Sequence, residues 1–263
     1  MTLLAAERIS IAFGGIRALD GVNFKTASGN VFSIIGPNGA GKTTLFNVIS
    51  GLCVPDDGRV WLGGEDVTAL APERLARRGL SRTFQNLQIF TQLTTLENVM
   101  VGRHRHELTG LAADLLHLPA VSRQNRITRE AALQALGRVG LGAMAPRPAG
   151  SLAYGDLKRL EIARALATEP AVLLLDEPAA GCNPTETKNI EAMIRDIAGD
   201  GITVVLVEHD MRLVMNISDR IHVLANGHTL AEGDAAEIRT NPAVIEAYLG
   251  ARSAAAEAAS AVS

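Results

Sequence analysis

Gly36-Pro37-Asn38-Gly39-Ala40-Gly41-Lys42-Thr43-Thr44 decides how this chain is read, because its order and spacing describe a device for holding phosphates. Three glycines let the backbone turn tightly and bring its N–H groups close to an anion. Before it, Val31 to Ile35 is an apolar run of strand length; after it, residues 45–49 continue as a helix that Gly51 can end. The first turn of that helix offers unpaired N–H donors and a positive dipole end. Lys42 is placed to reach the β- and γ-phosphates as a point charge, Thr43 to give its hydroxyl to Mg²⁺, and Thr44 to hydrogen-bond on the α-phosphate side. Alone, the stretch predicts a nucleoside-triphosphate site of unspecified purpose.

A second anchor is Ala171-Val172-Leu173-Leu174-Leu175-Asp176-Glu177-Pro178, an unbroken apolar run ending in two carboxylates. Unbroken apolarity predicts a strand buried on both faces of a parallel sheet, with its acids at the C-terminal end, where such folds bind ligands. Asp176 suits the outer shell of Mg²⁺ and Glu177 suits a general base for an attacking water. Adjacent strand residues point apart, which would let one acid serve the metal and the other the water. A similar run, residues 202–207, ends in Glu208-His209-Asp210. His209 there can hold a phosphate or the water, or be an ordinary loop residue, and Asp210 can cap the next helix.

Between these anchors the chain alternates. Ile9, Ile11 and Phe13, then Val22 and Phe24, alternate with polar or small residues and predict antiparallel strands joined at Gly14-Gly15. Phe13 is either an inward strand residue or an aromatic available to stack on an adenine. A strand over residues 59–62 places Trp61 in the core, and a short helix runs from Pro72 to Gly79. Leu80-Ser-Arg-Thr-Phe-Gln85 reads as a strand delivering Gln85 to a loop, where it is exposed or faces a phosphate-bound metal. Thr94 and Glu97 form a capping box. From Arg103 to about Arg129 the chain is basic and locally irregular, a helical excursion whose arginines are solvated or dock another subunit. His104 and His106 are spaced wrongly for one helical face. Leu152-Ala153-Tyr154-Gly155-Asp156 precedes an amphipathic helix over 157–167 and is either a plain helix start or a second anion site. Asn226-Gly227 joins a hairpin, Asn241-Pro242 opens a helix ended by Gly250, and residues 251–263 are an Ala/Ser-rich tail expected to be disordered.

Composition narrows the class. Hydrophobic residues make up 47% of the chain, enough for a substantial core, and no apolar run nears the roughly 20 residues of a membrane span. Two cysteines, Cys53 and Cys182, argue for a reducing cytoplasm. A net charge of −3 with 3% aromatics gives no nucleic-acid footprint.

Taken in order, the phosphate loop, Gln85, residues 152–156, Asp176-Glu177 and His209 resemble an ABC transporter ATPase cassette over about residues 3–250. The resemblance implies an α/β fold with a mostly parallel core sheet, an antiparallel β subdomain and a helical subdomain at about 90–165, in one domain over 1–250. It implies that residues 36–44 are the Walker A loop, Gln85 the Q-loop residue, 152–156 the signature, Asp176 the Walker B aspartate, Glu177 the catalytic base and His209 the switch histidine. Thr43, Gln85 and Asp176 would face Mg²⁺, and Phe13 falls where the family places its adenine-stacking aromatic. Arg82-Thr-Phe-Gln, Leu152-Ala-Tyr-Gly, Leu160-Glu-Ile-Ala-Arg, Glu208-His-Asp-Met and Ala247-Tyr-Leu-Gly are similar to the ATPases of branched-chain amino-acid importers in particular. That resemblance implies an ATPase at the cytoplasmic face of the membrane, with a second cassette, permease subunits and, indirectly, a solute-binding protein as partners. The alternatives are a cassette for urea, amides or lipid-type solutes, or a soluble ABC ATPase outside transport. The chain departs from the wider family at Ala153, Tyr154 and Asp156, where Ser, Gly and often Gln stand, and at Asn183, where an Asp stands. Ala153 has no hydroxyl, so the Gly155 N–H and the helix end would carry more of the phosphate contact.

Overall fold

The computed structural model describes residues 2–103 and 119–248 of the 263. The chain opens with β1 (Thr2–Phe13), β2 (Ile16–Ala27), β3 (Val31–Ile35), α1 (Lys42–Ile49), β4 (Asp57–Leu62), β5 (Glu65–Asp66), α2 (Pro72–Arg77), β6 (Leu80–Arg82) and α3 (Thr95–Gly102). It continues with α4 (Pro119–Arg138), α5 (Tyr154–Leu166), β7 (Val172–Asp176), α6 (Pro184–Gly199), β8 (Thr203–Val207), α7 (Met211–Ile217), β9 (Arg220–Ala225), β10 (His228–Gly233), α8 (Ala235–Thr240) and α9 (242–248).

The core sheet has the order β10-β9-β3-β8-β7-β6 and is parallel except for the β9–β10 hairpin. Every residue of β3, β7 and β8 is buried, as unbroken apolarity predicts for strands covered on both faces. The two-residue period assigns the faces. Leu173 and Leu175 of β7, with Val204 and Leu206 of β8, pack towards Leu160 of α5 and Ile190 and Ile194 of α6. Val172, Leu174, Val205 and Val207 pack on the opposite face with Phe46 and Ile49 of α1. Each fully buried Leu or Val contributes about 1.5–3 kcal/mol, so these central strands form a rigid floor beneath the loops at their C-terminal ends.

A second, antiparallel sheet of order β2-β1-β4-β5 covers the α1 side. Trp61, expected in the core, is only half-buried. Its neighbours Val60 and Leu62 point inward, so alternation turns Trp61 to the outer face, where its Nε1–H donates to Glu7 Oε2 at 2.9 Å.

The helices carry their expected caps and some additional ones. Thr94 and Glu97 form the predicted box at α3, while Asn183 with Glu186 and Asp234 with Glu237 form two more at α6 and α8. The expected helical excursion is an α-helix from Pro119 onward, and Arg123, Arg126 and Arg129 are exposed along α4. His104, His106, the rest of the basic excursion up to residue 118, Gly250 and the 251–263 tail lie outside the described residues. Among the described residues, no helix is long and apolar enough to cross a membrane.

Candidate nucleotide site

The parallel core places the loops after β3, β6, β7 and β8 at one edge. Gly36, Gly39 and Gly41 have φ of 152°, 77° and 101°, in the half of conformational space that favours glycine. Two of them are also hemmed in. A Cβ on Gly36 would lie 2.1 Å from Leu224 O, and one on Gly41 2.7 Å from both Ala18 O and Leu19 Cδ2. The Asn226-Gly227 turn braces the loop, because the Gly227 N–H donates to Ala40 O at 3.1 Å. Behind it lies the Tyr248 phenol of α9, whose pKa burial pushes up to about 12 while a hydrogen bond from the Gly36 backbone opposes the shift. The result is a concavity of about 180 Å³ lined by Ala18 and residues 39–44, sized for phosphates.

Lys42 Nζ donates to Gly36 O at 2.7 Å and Pro37 O at 2.9 Å. Burial lowers its pKa below that of a free lysine, and the nearby Glu177 charge opposes that shift. Thr43 is exposed and Thr44 half-buried at the start of α1. The donor set of N–H groups, hydroxyls and one ammonium fits a polyanion.

Glu177 gathers the other candidates. Gln85 Nε2 donates to Glu177 Oε2 at 3.1 Å, and His209 Nδ1 lies 3.8 Å from the same oxygen. The two acids are not separated by strand alternation, as their adjacency suggested. β7 ends at Asp176, and Glu177 has already turned into the left-handed region with φ of 49°, its N–H held by Val207 O at 2.9 Å. Asp176 is buried instead in an ion pair, its Oδ2 accepting from Arg82 Nη2 at 2.9 Å. The strand expected to run to Gln85 stops at Arg82, so Gln85 sits on the loop beyond it.

Glu208, Glu161 and Arg82, outside the motif positions, complete this edge. Glu208, 1% exposed, accepts from the N–H groups of Ala179, His209 and Asp210 and ties the loop after β7 to the loop after β8. Glu161 of α5 accepts from the Phe84 N–H at 3.4 Å, and Arg164 of the same helix donates to Gln88 O. Burial raises the Glu161 pKa, opposed by the Phe84 N–H, the charges of Arg164 and Lys158, and the Gln88 N–H. Arg82 is the third. All three sit next to motif residues in sequence, but their partners are distant along the chain, which is why spacing does not reveal them.

Residues 152–156 lie elsewhere. Among the described residues, no hydrogen bond or ion pair joins them to residues 36–44, and they do not line the phosphate concavity. Ala153 is the N-cap of α5 without a side-chain cap, and Tyr154 is 46% exposed and packs on Gly181. The Asp156 carboxylate accepts from Arg159 one turn on, so its charge is compensated within the helix. Leu152 packs against the core. Phe13 is 51% exposed at the tip of the β1–β2 hairpin, which removes the inward-residue alternative. Cys182 packs against the core, and burial first, then Glu186, raises its pKa.

The fold and this edge define a phosphate-loop nucleotide cassette. Residues 19–180 match the ABC transporter family, and 228–254 match the branched-chain amino acid ATP-binding cassette transporter family. The chain belongs to the ABC transporter family of ATP-binding cassettes. It is 47% identical to the high-affinity branched-chain amino acid transport ATP-binding protein BraF of Pseudomonas aeruginosa, over 94% of this chain and 98% of that one. It is 44% identical to LivG of Escherichia coli, a protein of the same description, with the same coverage. Among solved structures it is similar to an ABC transporter cassette in its ADP conformation, with a TM-score of 0.83 and 35% identity over 95% of this chain and 99% of that one. It is also similar to a dimeric cassette in a post-hydrolysis state bound to ADP and Pi, with a TM-score of 0.72 and 27% identity over 89% and 99%.

Proposed function

We propose that this chain is the ATP-binding and ATP-hydrolysing subunit of a membrane importer for branched-chain amino acids. The convergence of Lys42, Gln85 and His209 on Glu177, beside the glycine loop, carries the catalytic part of this reading. The relatives' descriptions support the transported solute. In this reading residues 1–250 form one ABC ATPase domain with a helical subdomain at about 90–165.

ATP is the substrate. Its phosphates lie in the loop of residues 36–44, and Phe13 offers its free face to the adenine. Lys42 leaves the Gly36 and Pro37 carbonyls for the β- and γ-phosphates. Mg²⁺ takes few protein ligands and shares the rest with phosphates and water, and the single carboxylate, hydroxyl and amide of Asp176, Thr43 and Gln85 fit that habit. Bound there, it would offset phosphate charge. Glu177 accepts the proton of the attacking water, with Gln85 and His209 orienting the water and the γ-phosphate. Residues 152–156 supply helix N-terminal donors to the ATP of a second cassette, so the working unit is a homodimer or a pair of different cassettes. A groove of about 690 Å³, lined by Phe84, Leu87, Phe90 and Val101 among others, is the docking face for permease subunits that hold the chain at the cytoplasmic face of the membrane. An external solute-binding protein selects the solute.

Uptake of labelled leucine in cells lacking this chain tests the reading. Uptake should fall and return with the native gene but not with Lys42→Ala. Unchanged uptake, or failure to co-purify any integral membrane protein with the chain, would overturn it.

A further inference from the structure

Arg82, at the end of β6, is buried in a polar setting that the nucleotide motifs do not require. Nη2 donates to Asp176 Oδ2 at 2.9 Å, while Nη1 donates to Asn47 Oδ1 at 2.8 Å and Ser50 Oγ at 2.7 Å, both at the far end of the phosphate-loop helix α1. The guanidinium lies over two rings, its Cζ 5.4 Å from the centroid of Phe46 and 5.3 Å from that of Phe84. The side chains of Arg82 and Asp176 are 7% and 8% exposed. Among the described residues, Nε is buried without a partner. A buried donor left unmatched is unusual, and here it accompanies a guanidinium whose seat is set by what its two Nη atoms hold.

Those atoms fix one oxygen of Asp176 against a planar fork. A carboxylate gripped on one oxygen has its plane set, and with it the direction of the other oxygen. Among the described residues Oδ1 has no hydrogen-bond partner, and it is not one of the buried unpartnered atoms. It is therefore the oxygen available to a metal. A lysine could match the charge but not the fork, because its ammonium is a point charge on a flexible stem. Phe84 extends the arrangement outward: 43% exposed, it lines the groove of about 690 Å³, so groove wall and carboxylate share one guanidinium.

We propose that Arg82 is the positioning residue for Asp176, and that Phe84, stacked on it, makes the state of the groove felt at the metal-binding carboxylate. The proposal rests on the reading of Asp176 as a ligand of Mg²⁺ in the nucleotide site. Groove and site then communicate by a route separate from Gln85, which approaches Glu177 instead.

The full-length chain is titrated with the fluorescent analogue MANT-ATP, first without Mg²⁺ and then across a Mg²⁺ series, with melting temperature read in parallel. Arg82→Lys should move the Mg²⁺ concentration for half-maximal tightening up by about 10–100-fold, the usual cost of losing an outer partner of a metal ligand. Its Mg²⁺-free affinity should stay native. Asn47→Leu, which leaves both charges in place, keeps the test valid if Arg82→Lys folds poorly, and should shift the same curve in the same direction. Phe84→Ala should shift it by a smaller factor. A native Mg²⁺ curve in folded Arg82→Lys, or in Asn47→Leu if that variant must stand in, overturns the positioning role. A native curve in Phe84→Ala overturns the link to the groove. Lys42→Ala separates this from the underlying reading: if it binds MANT-ATP like the native chain, the nucleotide site itself is misassigned.

Discussion

At the end of β3 the backbone of residues 36–41 is held from several sides, whereas at the start of α5 residues 153–156 are held from behind only. The first loop is braced by Gly227, backed by Leu224 and touched by Tyr248. The second packs Tyr154 on Gly181 and Gly155 beside Glu186, but its first N–H groups have no side-chain cap. The first region is finished within one chain and the second is left open at its tip. A site built from two such halves, one from each of two cassettes, pairs a rigid phosphate cradle with a donor array that becomes satisfied only on association.

The largest expected effects lie in the finished half. Lys42→Ala should reduce ATP hydrolysis by at least ~10³-fold, and Glu177→Gln by about 10²–10⁴-fold, the range for a lost general base. In a phosphate-release assay beside an ATP-binding assay, Glu177→Gln should keep its ATP. If it hydrolysed at the native rate, the base would be another group.

Alanine at one glycine of each half probes the contrast directly. In Gly36→Ala the new methyl meets the Leu224 carbonyl in a strained φ, so destabilisation of about 3 kcal/mol or more is expected from overpacking and strain together. In Gly155→Ala it meets the Glu186 side chain, 2.6 Å from Cδ, which can swing aside at the loss of its capping bond to the Asn183 N–H, a cost of about 1 kcal/mol. Equal losses in urea unfolding would erase the distinction between the two regions.

Glu161 joins the two regions, since α5 begins at residues 153–156 and Glu161 holds the Phe84 N–H of the loop that carries Gln85. Its folded pKa is raised above 4.5, so between 4.5 and that raised value the folded state binds more protons than the unfolded one. Its contribution to stability is therefore full below pH 4.5 and is lost as pH rises through the folded pKa. Glu161→Gln should show a flatter dependence of melting temperature on pH, gaining on the native protein as pH rises. Parallel profiles would show that Glu161 titrates normally.

The smallest effect is a gain. Ala153→Ser supplies the missing N-cap hydroxyl and should add about 0.5–2 kcal/mol, or roughly 2–4 °C in melting temperature per kcal/mol. An unchanged melting temperature would mean that the α5 N–H groups are already satisfied.

The phosphate loop was legible because its demands are local: positive φ at fixed positions, a strand before and a helix after. Asp176 and Glu177 were legible because burial on both faces writes itself as an unbroken apolar run. The caps of α6 and α8 are equally local, in Asn183 with Glu186 and Asp234 with Glu237. Arg82, Glu161 and Glu208 resist such reading because each is defined by a partner on another strand or helix. Trp61 misleads for a related reason, since a large aromatic suggests burial while the face it takes is fixed by Val60 and Leu62.

The left-handed backbone of Glu177 has one more consequence. A side chain at φ of 49° costs of order 1–3 kcal/mol that glycine would avoid, and the strain falls on the residue proposed above as the general base. Selection for heat resistance alone would therefore favour glycine at this position and return a sturdier cassette that no longer turns over. Thermal screening of this family needs a turnover assay beside it, or its best survivors will be dead enzymes.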